Sequence, residues 1–215
     1  MPLTALGIST VIIGLTCFAL GSTRPDISPE ACQMILKTGM ENTAALLEEL
    51  GLRNRAIYLP SAMRDGNPRA LVPLVGDIDL QRMKKSLPGR LLVHYGTSPE
   101  DMAIAVATPG SINVDMLETR PGPTADEISA AITYILSGLL DIADAVSVER
   151  TDEQVQVEVR GAKLGYEDIW YYRCLGSPIA SIAAAVTSEA LEKAVRISEE
   201  NHQRGKTKIV LEVLS

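Results

Sequence analysis

The chain has 215 residues, a net charge of −7 and an aromatic content of only 4%, with one Trp and one Phe. That length suits a membrane anchor plus one ordinary domain, or two very small ones. The acidity argues against general nucleic-acid binding, and the scarcity of aromatic rings leaves Ala, Val, Ile and Leu to build the core.

Leu3 to Gly21 run nineteen positions without a charge, and Arg24 is the first ionisable side chain. At about 1.5 Å per residue, a helix of that length spans roughly the hydrocarbon thickness of a bilayer. Residues 1–23 are therefore expected to form a single-pass transmembrane anchor, with the lipid bilayer as partner. A processed signal sequence and a buried interaction helix are the rivals. No basic side chain precedes Leu3, the flank Ser22-Thr23-Arg24-Pro25-Asp26 lacks a small-x-small site, and Gly14-Leu15-Thr16 leads poorly into a lipoprotein-type Cys17. Arg24 and Lys37 follow the apolar run while no Lys or Arg precedes it, which places the soluble part in the cytoplasm. Cys17, Cys32 and Cys174 are too few and too scattered for a disulfide framework, in keeping with reducing surroundings.

Residues 24–120 read as a first α+β part. Ser28-Pro29-Glu30 opens a helix, with a serine cap, proline at the first position and a carboxylate at the positive end; Gly51 closes it. Arg55–Pro60 and Arg69–Leu74 read as two strands about an Asp65-Gly66-Asn67-Pro68 turn. Their prolines argue against central, uninterrupted positions. A short helix over 79–86 and strands at Leu91–Tyr95 and Met102–Ala107 follow, the last ending at Pro109-Gly110.

From Arg53 to Arg90 eight basic residues stand against three acidic ones, a charge of +5 that leaves −12 for the remainder. A solvated face is one reading. The other is a surface resting on anionic headgroups, with Arg82, Lys84, Lys85 and Arg90 as its densest part.

Residues 121–215 form a second α+β part, separate from the first or continuous with it, behind the punctuation Pro121-Gly122-Pro123-Thr124. A helix over 125–143 carries an apolar stripe through Ile128, Ile132, Ile135, Leu136, Leu139 and Leu140. Val146–Arg150 and Val155–Val159 alternate as a hairpin. Ser177-Pro178 starts an alanine-rich helix to about Lys193, and Val195–Glu199 with Lys208–Leu214 makes a final hairpin, His202 falling in its turn. A helix followed by two antiparallel strands thus recurs at 28–75, 125–160 and 177–214. The expected fold is α+β: an antiparallel sheet or sheets with helices on one face, built from repeated αββ units.

No motif for catalysis rises above background. His94 and His202 have no ligand-spaced neighbours, so no metal or cofactor is expected, and phosphate loops and the GxSxG elbow are absent. Trp170-Tyr171-Tyr172-Arg173 gathers the only Trp with two of the six tyrosines. Next to it, Cys174-Leu175-Gly176-Ser177-Pro178 sets a thiol beside a helix start, where free N–H groups favour thiolates and anions. Read blandly, the pair is an aromatic plug and a serine cap after a strand. Read sharply, it is a ligand pocket using Trp170, Tyr172, Cys174 and Ser177.

The tail from Val146 to Leu214, a hairpin, the CLGSPIASIAAAV helix and a second hairpin, resembles the small-molecule-binding domains named after 4-vinyl reductase. There a cysteine-bearing turn enters a helix before a final hairpin, so the resemblance implies a ligand-binding fold over about a third of the chain. That family's later cysteines have no counterpart, since none follows Cys174. No functional residue is carried over from it.

The expected role is therefore a membrane-anchored accessory or interaction protein, more a non-enzyme than an enzyme, working with a protein partner or as a homo-oligomer. The alternative is a membrane-tethered small-molecule sensor with its pocket near Trp170–Ser177. A sensor should hold an internal apolar cavity of about 300 Å³ or more, whereas an accessory subunit should have a filled core and an exposed patch.

Overall fold

A computed structural model describes residues 2–22, 28–65, 69–83, 86–164, 166, 169–203 and 205–214. The chain divides into two units, Met1–Asn42 and Thr43–Ser215.

In the first unit α1 (Pro2–Ser22) carries no Asp, Glu, Lys, Arg or His. Every side chain described on it, from residue 7 to residue 19, is exposed. α2 (Pro29–Glu49) begins in this unit and ends in the second. The Ser28 hydroxyl accepts the Ala31 N–H at 3.1 Å, as a serine cap should, and Gly51 takes the left-handed φ of +69° just past the helix end.

The second unit is built on one eight-stranded sheet ordered β3-β4-β2-β1-β7-β8-β6-β5, with every neighbouring pair antiparallel. The strands are β1 (Ile57–Leu59), β2 (Arg69–Pro73), β3 (Leu92–His94), β4 (Met102–Val106), β5 (Ala145–Arg150), β6 (Gln154–Arg160), β7 (Val195–Gln203) and β8 (Lys206–Val213). The helices are α3 (Pro109–Val114), α4 (Ala125–Thr133), α5 (Trp170–Leu175) and α6 (Pro178–Leu191). β1 pairs with β7 through Ile57↔Arg196 and Tyr58↔Val195, which joins the strands of the two α+β parts in one sheet.

Strand alternation sorts the core into two layers. Tyr58, Ala70, Val72, Ile104, Val155, Val157, Val159, Val195, Ile209 and Leu211 face α3, α4 and α6. The opposite residues of the first strands, Ile57, Leu59, Leu71, Ala103 and Ala105, pack under Ile78 and Leu87 of the segment between β2 and β3. The helices therefore lie on one face. Trp170–Leu191 is long and apolar enough to cross a membrane by composition alone, yet 89% of its 18-residue apolar window is buried inside this fold, as the core position of α6 requires.

Several expectations are corrected. β1 and β2 are interior strands, not peripheral ones. Pro60 falls beyond the last β1 pair, Leu59↔Arg69, and Pro73 is the last residue of β2, so neither interrupts the ladder midway. The helix expected over 79–86 is a single 3-10 turn, Leu80–Arg82, capped by the Asp79 carboxylate. Pro109-Gly110 does not end a structured run but opens α3. The 125–143 helix changes at Tyr134–Leu139 into a π-helical turn, and Leu139 and Leu140 emerge into solvent. His202 lies within β7 opposite Thr207, one pair before the end of the ladder. Of the expected Asp65–Pro68 turn, residues 66–68 lie outside the described residues.

Candidate functional site

The stretch singled out by sequence is the junction between α5 and α6. Cys174 lies in the last turn of the helix α5, and no strand leads directly into the Ser177 cap. Gly176 makes the break: its φ is +76°, and a Cβ there would sit 2.4 Å from Ile197 Cδ1, so only glycine fits. The Ser177 hydroxyl accepts the Ala180 N–H at 3.2 Å and Pro178 occupies the first helical turn, which starts α6.

Hydrogen bonds fix α5 to the rest of the unit. Trp170 Nε1 donates to the Leu52 carbonyl at 2.9 Å, and the Cys174 thiol approaches the same oxygen at 3.5 Å. The Ala56 N–H donates to the Cys174 carbonyl at 2.7 Å, and the buried Tyr58 hydroxyl donates to the Leu175 carbonyl. Burial pushes the Cys174 thiol pKa up, which disfavours the thiolate. The Ser177 N–H is engaged by Glu200 Oε2 at 3.1 Å.

Beside this junction opens a pocket of about 240 Å³, lined among others by Arg53, Arg55, Tyr172, Arg173, Cys174 and Glu200. Tyr166 and Ile197 complete its wall. The Tyr166 ring lies 5.7 Å from Tyr172 and stacks on His202 at 4.1 Å. His202 Nε2 meets Glu200 Oε1 at 2.8 Å, and its Nδ1 lies 3.1 Å from Thr207 Oγ1.

Of the four candidate ligand residues, Tyr172 and Cys174 line this pocket. Trp170 and Ser177 stand behind it, Trp170 under the Arg173 guanidinium at 5.6 Å and Ser177 as the cap of α6. Arg53 and Arg55 were visible as members of the basic stretch but carried no sign of this location. Glu200 carried none at all.

The candidate membrane-surface residues are less concentrated than their sequence order implies. Arg82 is exposed and pairs with Asp79 at 3.1 Å; Arg90 is exposed; Lys84 and Lys85 lie outside the described residues. Arg64, from the same stretch, is only 5% exposed. One of its N–H groups reaches the Pro88 carbonyl at 3.3 Å, while its Nε and Nη1 are buried without a partner. Desolvation, helped by the nearby Arg69 charge, lowers its pKa to about 10. Among the described residues no three His, Cys, Asp or Glu side chains converge as metal ligands would.

The chain belongs to the family described as Domain of unknown function (DUF7982), which matches residues 1–213. No curated protein and no solved structure matches it.

Proposed function

We propose that this family member is a membrane-anchored accessory or interaction protein whose α+β unit, Thr43–Ser215, serves a non-catalytic role on the cytoplasmic side. The observation that carries the reading is α1. Its 21 residues extend about 31 Å at the helical rise, close to the thickness of a bilayer's apolar core. Ile8, Val11, Ile12, Ile13, Leu15 and Phe18 are all exposed, and no Asp, Glu, Lys or Arg lies on any side of the helix. A helix without a charged side is suited to apolar surroundings such as the core of a bilayer. Exposed Met34, Ile35 and Leu36 on α2 add apolar surface suited to a protein partner or a second copy. The succession of αββ units then reads as a scaffold and not as a set of separate modules.

The three free cysteines test this without adding a probe site. Cys17 and Cys32 are exposed and Cys174 is buried. In native membrane vesicles a membrane-impermeant maleimide should label Cys32 from the cytoplasmic side, spare Cys17 inside the bilayer, and reach Cys174 only after denaturation. Rapid labelling of Cys17 in intact membranes, or recovery of the chain in the alkaline-soluble fraction, would refute the anchor. Labelling of Cys32 only from the opposite side would refute the orientation.

A second reading, the tethered small-molecule sensor, is supported by the pocket beside Tyr172 and Cys174. At about 240 Å³ it is smaller than a usual drug-sized site, and it opens to solvent beneath arginines instead of forming an enclosed apolar cavity. For that reason it ranks second. Native mass spectrometry of the membrane-extracted protein separates the two: a co-purifying protein favours the accessory role, and a discrete small-molecule mass favours the sensor.

A further inference from the structure

We propose that the pocket between Arg53, Arg55 and Tyr172 binds a small oxyanion, a carboxylate or phosphate group, borne on a compact and preferably flat molecule. The inference rests on the ligand-binding reading above and names its ligand class.

The segment before β1 sets two cations into one recess. The chain bends at Asn54, and Arg53 and Arg55 on either side of the bend both line the pocket. Asn54 between them is tied away by a hydrogen bond to the Gly76 carbonyl. Among the described residues Glu200 is the one carboxylate in the wall; its Oε2 accepts the Ser177 N–H at 3.1 Å, and its Oε1 lies 2.8 Å from His202 Nε2 without a hydrogen bond between them. Neither Arg53 nor Arg55 forms an ion pair among the described residues, and Arg55 gives only one N–H to the Ile197 carbonyl, at 2.9 Å. In a chain of net charge −7, two guanidiniums with no ion pair among the described residues share this one recess.

Chemistry narrows the occupant. Guanidinium forks match the paired oxygens of carboxylates and phosphates, and they gain strength where water is partly excluded. The Tyr166 and Tyr172 rings offer a flat apolar wall for the body attached to the anion. The volume of about 240 Å³ excludes polymers and large cofactors.

The test uses the full-length protein in detergent and the emission of Trp170, its single Trp, which lies one helical turn from Cys174. Benzoate and inorganic phosphate are titrated at constant ionic strength, with chloride as the blank. We expect a saturable response to at least one probe, benzoate alone if the flat wall contributes. Arg53→Gln and Arg55→Gln should each weaken binding by about tenfold or more, the range of one hydrogen bond to a charged partner. Arg53 is exposed and makes no hydrogen bond among the described residues, so its substitution leaves the fold intact. Arg90→Gln, an exposed change elsewhere in the basic stretch, should bind as wild type. Absence of a saturable response to either probe overturns the proposal, as does an unaltered affinity in Arg53→Gln or an equal loss in Arg90→Gln. A neutral small molecule retained in native mass spectra, with no response to the probes, overturns the anion site while leaving the sensor reading standing.

Discussion

Gly110 offers the sharpest test of the packing, because two physical effects there have opposite signs. It lies in the first turn of α3, whose start is fixed by a reciprocal cap: the Thr108 hydroxyl accepts the Ser111 N–H at 3.2 Å, and the Ser111 hydroxyl accepts the Thr108 N–H at 2.7 Å. Helix propensity alone predicts that Gly110→Ala stabilises the protein by up to about 1 kcal/mol. Packing predicts the reverse. The added Cβ would lie 2.0 Å from the Ser181 carbonyl oxygen, 2.4 Å from its carbon and 2.9 Å from Ala185 Cβ. Ordinary contact is about 3.5–4.0 Å, so α3 and α6 must part by well over 1 Å, roughly. The obstacle is helix backbone, not a side chain that can rotate away. Parting also breaks the hydrogen bond from the Gly110 N–H to Ser181 Oγ, at 3.2 Å. Overpacking of this kind costs about 1–3 kcal/mol with flexible neighbours, so about 3 kcal/mol is expected here. For a unit of this size that lowers Tm by roughly 6–12 °C. Thermal unfolding followed by far-UV circular dichroism measures it, with Gly39→Ala as control, since nothing lies within 4 Å of a Cβ at that exposed helical position. An unchanged or raised Tm in Gly110→Ala would mean that the close approach of α3 to α6 does not exist.

Three further outcomes follow from buried groups. Arg64→Met should raise stability by about 1–4 kcal/mol in urea titrations, because a buried guanidinium without a counter-ion costs more than its one hydrogen bond returns; a loss would reveal an unseen partner for the charge. Ser177→Ala should cost about 1 kcal/mol and Ser177→Asp should retain most of it, read from denaturant midpoints, if the hydroxyl acts as the cap of α6. Burial raises the Tyr58 phenol pKa well above its ordinary value, and that of Tyr171 to about 12. The folded state thus favours neutral phenols, so their contribution is complete below about pH 10, where the unfolded tyrosines begin to ionise, and is lost as pH rises beyond it. Phenolate absorbance should therefore lag for these two and appear together with unfolding, and early titration of either would contradict its burial.

Where structure depends on neighbours in sequence, the sequence was informative. The alternation of Val155, Val157 and Val159 against Gln154, Gln156 and Glu158 is the alternation of buried and outward positions in β6. Ser28, Thr124 and Ser177 all cap the helices that follow them. What failed were inferences from residue type without position. Proline was read as a sign of a peripheral strand, but it excludes a strand from the interior only where a ladder needs its N–H, and Pro60 and Pro73 sit at or past strand ends. Gly110 was read as a breaker, though the same glycine is what lets a six-residue helix lie against α6.

The candidate pocket was harder to read for a different reason. Its wall draws on Arg53 and Arg55, on Tyr166 and residues of the 172–176 stretch, and on Ile197 and Glu200, positions that meet because β1 chooses β7 as its neighbour. No local pattern encodes that choice. The placement of Glu200 also defeats strand parity. Counting by twos from buried Ile197 puts residue 200 on the opposite face of β7. The ladder, however, slips between Ile197 and Glu199, so that Ile197 pairs with Leu211 and Glu200 with Ile209. Leu211 and Ile209 are both buried against the helices, and the bulge at Ser198 therefore returns Glu200 to the helix-facing side. There its Oε2 accepts the Ser177 N–H, and its Oε1 lies 2.8 Å from His202 Nε2. A single extra residue in β7 thus turns the one acid of the wall among the described residues onto the Ser177 N–H, and the proposed anion would meet the two arginines that share the pocket.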